Sequence, residues 1–161
     1  MPQLLSQANP ASQTNPASQT KPGVLGFDVA KDTVVIHDFL TNRSLTVANR
    51  AQDLGRALKP YAGYQLAVCE VTGGYEHTIL RAAHKLELPV HRAHPNRVKA
   101  FIASHGGRAK TDPIDARWLA RYAAERGAGL PLWTPPCPLR SELADLTRHR
   151  EDLIGQRTQA K

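Results

Sequence analysis

Four carboxylates in this chain stand where an acid calls for a reason. In "GGRAKTDPIDARWLA", residues 106–120, Asp112 and Asp115 lie three apart, just ahead of a helical pattern. Asp112 before Pro113 suits a helix N-cap with proline at the first helical position, and Asp115 then falls where the helix dipole favours negative charge. The same spacing aims both carboxylates from one helix end toward a single point. Asp28, in "GFDVAKD", is set among Gly26, Phe27, Val29 and Ala30 in what reads as a core strand. An ionised carboxylate there is costly unless it is paired, binds a metal, or lies on the solvent face of an alternating strand. Glu70, in "AVCEVTGG", closes a long apolar strand just before a Gly-rich turn, the kind of strand end where ligands of α/β sheets gather. Together the four would offer hard oxygen donors, suited to magnesium or manganese rather than zinc. Cap and metal ligand are compatible roles for the Asp112/Asp115 pair.

Cations accompany the acids. Arg92, Arg97, Lys99, Arg108 and Lys110 precede the aspartate pair, Arg117, Arg121 and Arg126 follow it, and Lys31 comes soon after Asp28. Such a rim suits phosphate contacts, with a solvated helix face the plainer account of Arg121 and Arg126. Over all 161 residues, 21 Lys and Arg face 14 Asp and Glu, a net charge of +7 with His neutral. That balance favours a polyanionic partner, usually nucleic acid.

Other chemistries find less support. His91 and His94 form the only tight His pair, and on a strand their odd spacing points the rings to opposite faces, which argues against zinc. Cys69 sits in an apolar run and Cys137 in "PPCP", which is no disulfide framework and fits a reducing cytoplasm. No run approaches membrane-spanning length, and the N-terminus lacks the features of a signal peptide.

The elements that must position the acids follow from periodicity. Residues 1–22, with "NPASQT" twice in tandem, are too polar to order themselves and read as a disordered tail. Three β-rich runs at 23–29, 33–39 and 43–48 are joined by turns short enough to require an antiparallel meander. "NRAQDLGRALKPY" predicts a helix capped by Asn49, "YQLAVCEV" a strand covered on both faces, and "GYEHTILRAAHKLE" a second helix. "LPVHRAH" is a short fifth strand and "PNRVKAFIASH" a third helix, and the last helix of the domain is expected from Asp112 to Gly127. The order βββαβαβα implies an α/β mixed sheet with helices on both faces, matching the ribonuclease H-like architecture. In that topology the first and fourth strands are neighbours, which brings Asp28 beside Glu70, and a divalent cation is the usual remedy for two adjacent carboxylates. The folded domain is thus expected over 23–128, a Pro-rich linker over 129–138, and an amphipathic C-terminal helix over 139–161. Leu139, Leu143, Leu146 and Leu153 lie near heptad spacing there, a hint of self-association in what reads as a longer helix cut short.

The motifs "GFDVAKD", "CEVTGGYE", "HPNRVKAF" and "GRAKTDPIDARWLA" resemble the N-terminal domain of DEDD-type insertion-sequence transposases, the group that includes the Piv/MooV DNA invertases. The resemblance covers roughly residues 23–127. It implies a RuvC-like nuclease domain whose catalytic, metal-holding tetrad is Asp28, Glu70, Asp112 and Asp115, with Mg2+ or Mn2+ as cofactor. It further implies DNA as substrate, a coiled-coil helix leading to a second domain with a nucleophilic serine, and in some members direction by an RNA transcribed from the element. Lys31, Arg97, Lys99, Arg108 and Lys110 are the expected nucleic-acid contacts, and the bacterial cytoplasm the expected location. Two other readings stand beside it. One is a non-catalytic DNA- or RNA-binding module with a vestigial tetrad. The other is a sugar-kinase or actin-like nucleotide binder, for which "DVAKD" lacks the glycine of a phosphate turn.

Overall fold

The architecture is that of a computed structural model, which describes residues 21–106 and 114–137 together with Leu146, Thr147, Arg150 and Ile154. The expected tail 1–22 and the expected closing helix therefore lie almost wholly outside the described residues, as do Asp112, Arg108 and Lys110.

Five strands form one sheet in the order β3-β2-β1-β4-β5. They are β1 (Lys21–Val29), β2 (Thr33–Asp38), β3 (Arg43–Ala48), β4 (Tyr64–Glu70) and β5 (Val90–Ala93). β1, β2 and β3 pair antiparallel, as their short turns require, while β4 runs parallel to β1, and β5 parallel to β4. This mixed order is the ribonuclease H-like arrangement.

Period-two alternation sorts the strand residues onto two cores. Leu25, Phe27, Val34, Ile36, Ala67, Cys69 and Val90 face α1 (Ala51–Leu58) and α2 (His77–Lys85), meeting Leu54, Leu58, Ile79, Leu80 and Ala83. Val24, Leu66, Val68 and Ala93 face α3 (Pro95–Ser104) and α4 (Ala116–Arg126), meeting Val98, Phe101, Ile102, Leu119 and Tyr122. Buried on both sides, β4 reads as an unbroken apolar run for that reason.

Two caps differ from expectation. Asn49 does not cap α1: the N-cap is Arg50, without a side-chain bond. The Asn49 amide instead donates to the carbonyls of Ala30 (2.9 Å) and Tyr75 (3.1 Å), tying together the loops that follow β1 and β4. The last helix begins at Ala116 with Asp115 as its N-cap, rather than at Asp112, because Asp115 is extended (φ −115°, ψ 173°) and its Oδ1 accepts from the amides of both Arg117 and Trp118 at 2.9 Å.

Beyond α4 the chain crosses back along the open edge of β5. The Trp133 amide donates to the Val90 carbonyl at 2.7 Å, and His91 Nδ1 lies 2.7 Å from the Pro131 carbonyl. The Trp133 ring packs on the α1/α2 core and edge-on to His84. Residues 130–133 of the expected Pro-rich linker are thus laid against the sheet.

Candidate metal and nucleic-acid site

The site grows from the register of two strands. Gly26 pairs with Val68 and Phe27 with Cys69, so Asp28 and Glu70 come next, side by side at the carboxyl edge of the parallel pair. Adjacent strands lie about 4.8 Å apart. Alternation places both on the α3/α4 face, since Asp28 follows Val24 and Gly26 by twos and Glu70 follows Leu66 and Val68 by twos. Both are half-buried. Asp28 is therefore not on a solvent face.

Gly26 delivers the third acid. A Cβ at this position would collide with the Ala116 carbonyl and the Ala120 amide, so only glycine lets the first turns of α4 rest directly on β1. Two residues further along the same face of β1 stands Asp28, and one residue before Ala116 stands Asp115. The close approach thus brings the N-terminal end of α4 over the carboxyl end of β1.

The electrostatics agree with this placement. Burial, and secondarily the charge of Asp115, push the Asp28 carboxyl above the usual carboxylate range. Burial also raises Glu70, with Asp28 adding to the shift and Lys99 on α3 opposing it. Burial and a neighbouring carboxylate discourage both Asp28 and Glu70 from ionising, the condition a cation relieves. On the same face, burial and the charge of Arg117 lower His37, with Asp115 and Asp38 opposing, while its Nδ1 lies 2.9 Å from Ser44 Oγ.

Asp28, Glu70 and Asp115 are neighbours without yet being a coordination shell. Among the described residues no group of three His, Cys, Asp or Glu side chains is gathered tightly enough to hold a metal ion, and one Asp115 oxygen is committed to the helix cap. The donor chemistry still fits a hard divalent cation: carboxylate oxygens, mutually repelling, beside a helix end. Asp112, the fourth expected acid, lies outside the described residues.

Of the expected cations, Lys31, Arg97 and Lys99 are exposed, and Lys99 is close enough to Glu70 to act on it. Arg92 does not belong to a free rim, because its Nη2 lies 2.9 Å from Glu76 Oε1. Arg121 pairs with Glu125 and lies over the Trp118 ring, as an ordinary helix face would have it. His94 caps α3 by accepting from the Asn96 amide, whereas His91 is buried and stacked on Tyr122, so the two do not act as a pair. Sequence reasoning missed Asn49 as a loop tie and Glu76 as a buried acid. Thr72, Gly74 and Glu76 at spacing two were the available signal for Glu76, as a carboxylate facing its own preceding turn.

The chain is similar to the pilin gene-inverting proteins of Moraxella lacunata and Moraxella bovis, 34% identical over 99 residues in each case. The match covers 56% of this chain and 29% of theirs, so the chain spans less than a third of these relatives' length. T. thermophilus RuvC, in complex with a Holliday junction substrate, superposes with a TM-score of 0.49 at 16% identity, over 70% of this chain and 100% of that one. Thermus thermophilus RuvC gives a TM-score of 0.49 at 15% identity, over 69% and 99%. No helix among the described residues is long and apolar enough to cross a membrane. Residues 25–161 match the DEDD-type transposase family of the IS110 group, and the chain belongs to that family.

Proposed function

We propose that this chain carries the acidic site of a mobile-element recombinase, which binds DNA and holds divalent cations, Mg2+ or Mn2+, at Asp28, Glu70, Asp112 and Asp115 for cleavage and transfer of a DNA strand. The single observation that supports this most is the placement of Asp28 and Glu70 abreast, with Asp115 acting on Asp28 from the helix above. A divalent cation bound there supplies positive charge to the attacking and leaving oxygens of a phosphodiester. The protein's own part is positioning and charge. Asp28 and Glu70 stand on the rigid sheet, Asp115 joins its helix end to them, and Lys99 sets a cation beside Glu70. Lys31, Arg97, Lys99, Arg108 and Lys110 would contact the DNA backbone, in keeping with the net charge of +7.

The full strand-exchange activity, a guide RNA from the element, and self-association through the helix expected at 139–161 complete the reading, as does action in the bacterial cytoplasm. Relatives more than three times the matched length provide room for the second domain that such activity would need.

Titration of the chain with Mn2+, read by the electron paramagnetic resonance of the free ion, tests the site. Wild type should bind, and Asp28→Asn should lose binding at least tenfold. Equal behaviour of the two would overturn the metal site. Salt-dependent DNA binding that ignores both Mn2+ and Asp28→Asn would then favour the non-catalytic binding module.

A further inference from the structure

Glu76 is an acid that the carboxylate site does not use, and its side chain is fully buried. Its Oε2 accepts three hydrogen bonds from the turn just before it: the Thr72 amide (3.2 Å), the Thr72 hydroxyl (2.8 Å) and the Gly74 amide (2.9 Å). Its Oε1 meets Arg92 on β5. Burial alone would raise this carboxyl, but the bonds it accepts outweigh that and hold it below the usual glutamate range. Gly73 and Gly74, both at positive φ (73° and 118°), allow the turn to fold back over the acid.

That turn is the continuation of Glu70. The Val71 amide donates to the Ala93 carbonyl at 3.2 Å, extending the β4–β5 ladder one residue past Glu70. From Thr72 onward the chain has no strand partner, and Glu76 takes over. Arg92 lies in register with Cys69 and so belongs to the α1/α2 face, opposite Glu70. The ion pair therefore braces the turn from behind the sheet, while the Asn49 amide holds the Tyr75 carbonyl from the side.

We propose that Glu76, tied to Arg92, is a positioning residue for the metal site: it fixes the β4–α2 turn and so holds the Glu70 carboxylate beside Asp28. This rests on the metal reading of Asp28 and Glu70. Groups that orient a metal's ligands affect affinity nearly as the ligands do, at about 10–100-fold when lost. Glu76→Gln keeps the size and one acceptor oxygen for Thr72 and Gly74 but turns an amide N–H2 against the Arg92 guanidinium.

The test is Mn2+ titration of the 161-residue chain, read by resonance of the free ion well below the melting temperature. Five proteins are compared: wild type, Asp28→Asn, Glu76→Gln, Arg92→Lys and Leu58→Ala, the last a core destabiliser at the C-terminal end of α1. The expected result is a tenfold or greater loss of Mn2+ affinity in Glu76→Gln, a several-fold loss in Arg92→Lys, and none in Leu58→Ala. Amide exchange should quicken at Val71, Thr72 and Gly74 in the first two. Folded Glu76→Gln with wild-type affinity overturns the proposal, as does a Leu58→Ala loss of equal size, which would make the effect one of general stability. If Glu76→Gln does not fold, Arg92→Lys decides by the same criterion. Wild type that binds Mn2+ no better than Asp28→Asn overturns the metal reading itself, and the role proposed for Glu76 with it.

Discussion

Asp115 does two things at once, and a substitution can separate them. Its Oδ1 caps α4 through the amides of Arg117 and Trp118, while its charge raises Asp28. Asparagine caps about as well as aspartate, whereas alanine costs about 1 kcal/mol. Asp115→Asn should therefore melt close to wild type yet bind Mn2+ more weakly, and Asp115→Ala should lose both properties, as thermal melts with and without Mn2+ would record. Asp28→Asn should move the other way in stability. It removes one of the mutually repelling acids, so the metal-free protein should gain up to about 1 kcal/mol after allowance for screening by water, and Mn2+ should no longer raise its melting temperature. Glu76 sets a pH dependence of its own. Its carboxyl lies below the usual range in the folded state, so its contribution to stability is present above the ordinary glutamate value, about 4.3, and is lost as pH falls through and below it. Acid melts of wild type should show that decline, and Glu76→Gln should flatten it.

At the scale of elements, Gly26 is what seats α4. Any side chain there meets the Ala116 and Ala120 backbone, so Gly26→Ala should cost about 1–3 kcal/mol by overpacking. It should also weaken Mn2+ binding, because α4 cannot recede without carrying Asp115 away. The sheet was readable from the chain: three β-rich runs with short turns dictate a meander, and the two-sided apolar run of β4 dictates a central position. The start of α4 was not. Asp112-Pro113 has the local chemistry of a cap and first turn, and Asp115 has it too. What favours Asp115 is a contact with β1 ninety residues away in the chain, invisible to local pattern. Asn49 illustrates the same limit. Its amide could cap α1 or bridge two loops, and the bridge satisfies carbonyls of Ala30 and Tyr75 that no strand partner reaches. For Glu76 only the local turn bonds were readable, because its burial also depends on Arg92, which β5 supplies from beyond an intervening helix. Asp28, Glu70 and Asp115 were legible as acids out of place, but their spacing could not reveal that one Asp115 oxygen is spent on the cap.

For the molecule as a whole, under the proposed function the excess of cations and the siting of Lys31 and Lys99 near the carboxyl edge of the sheet would set how it meets DNA. Affinity for duplex DNA should fall log-linearly with salt, and Lys31→Ala or Lys99→Ala should each reduce the slope by about 1 if that residue neutralises a phosphate. Fluorescence anisotropy over a salt series checks this, and an unchanged slope would remove that residue from the interface. The route of the chain beyond α4 bears on the same surface. Because Trp133 and Pro131 are bonded to Val90 and His91, the outgoing polypeptide is fastened at two points to the strand that also carries Arg92. A pull or twist exerted on the chain after Thr134 would not be absorbed by slack. It would load β5 first, then pass through the Arg92 guanidinium to the turn behind Glu70, making the edge strand a lever between whatever follows and the acidic pair.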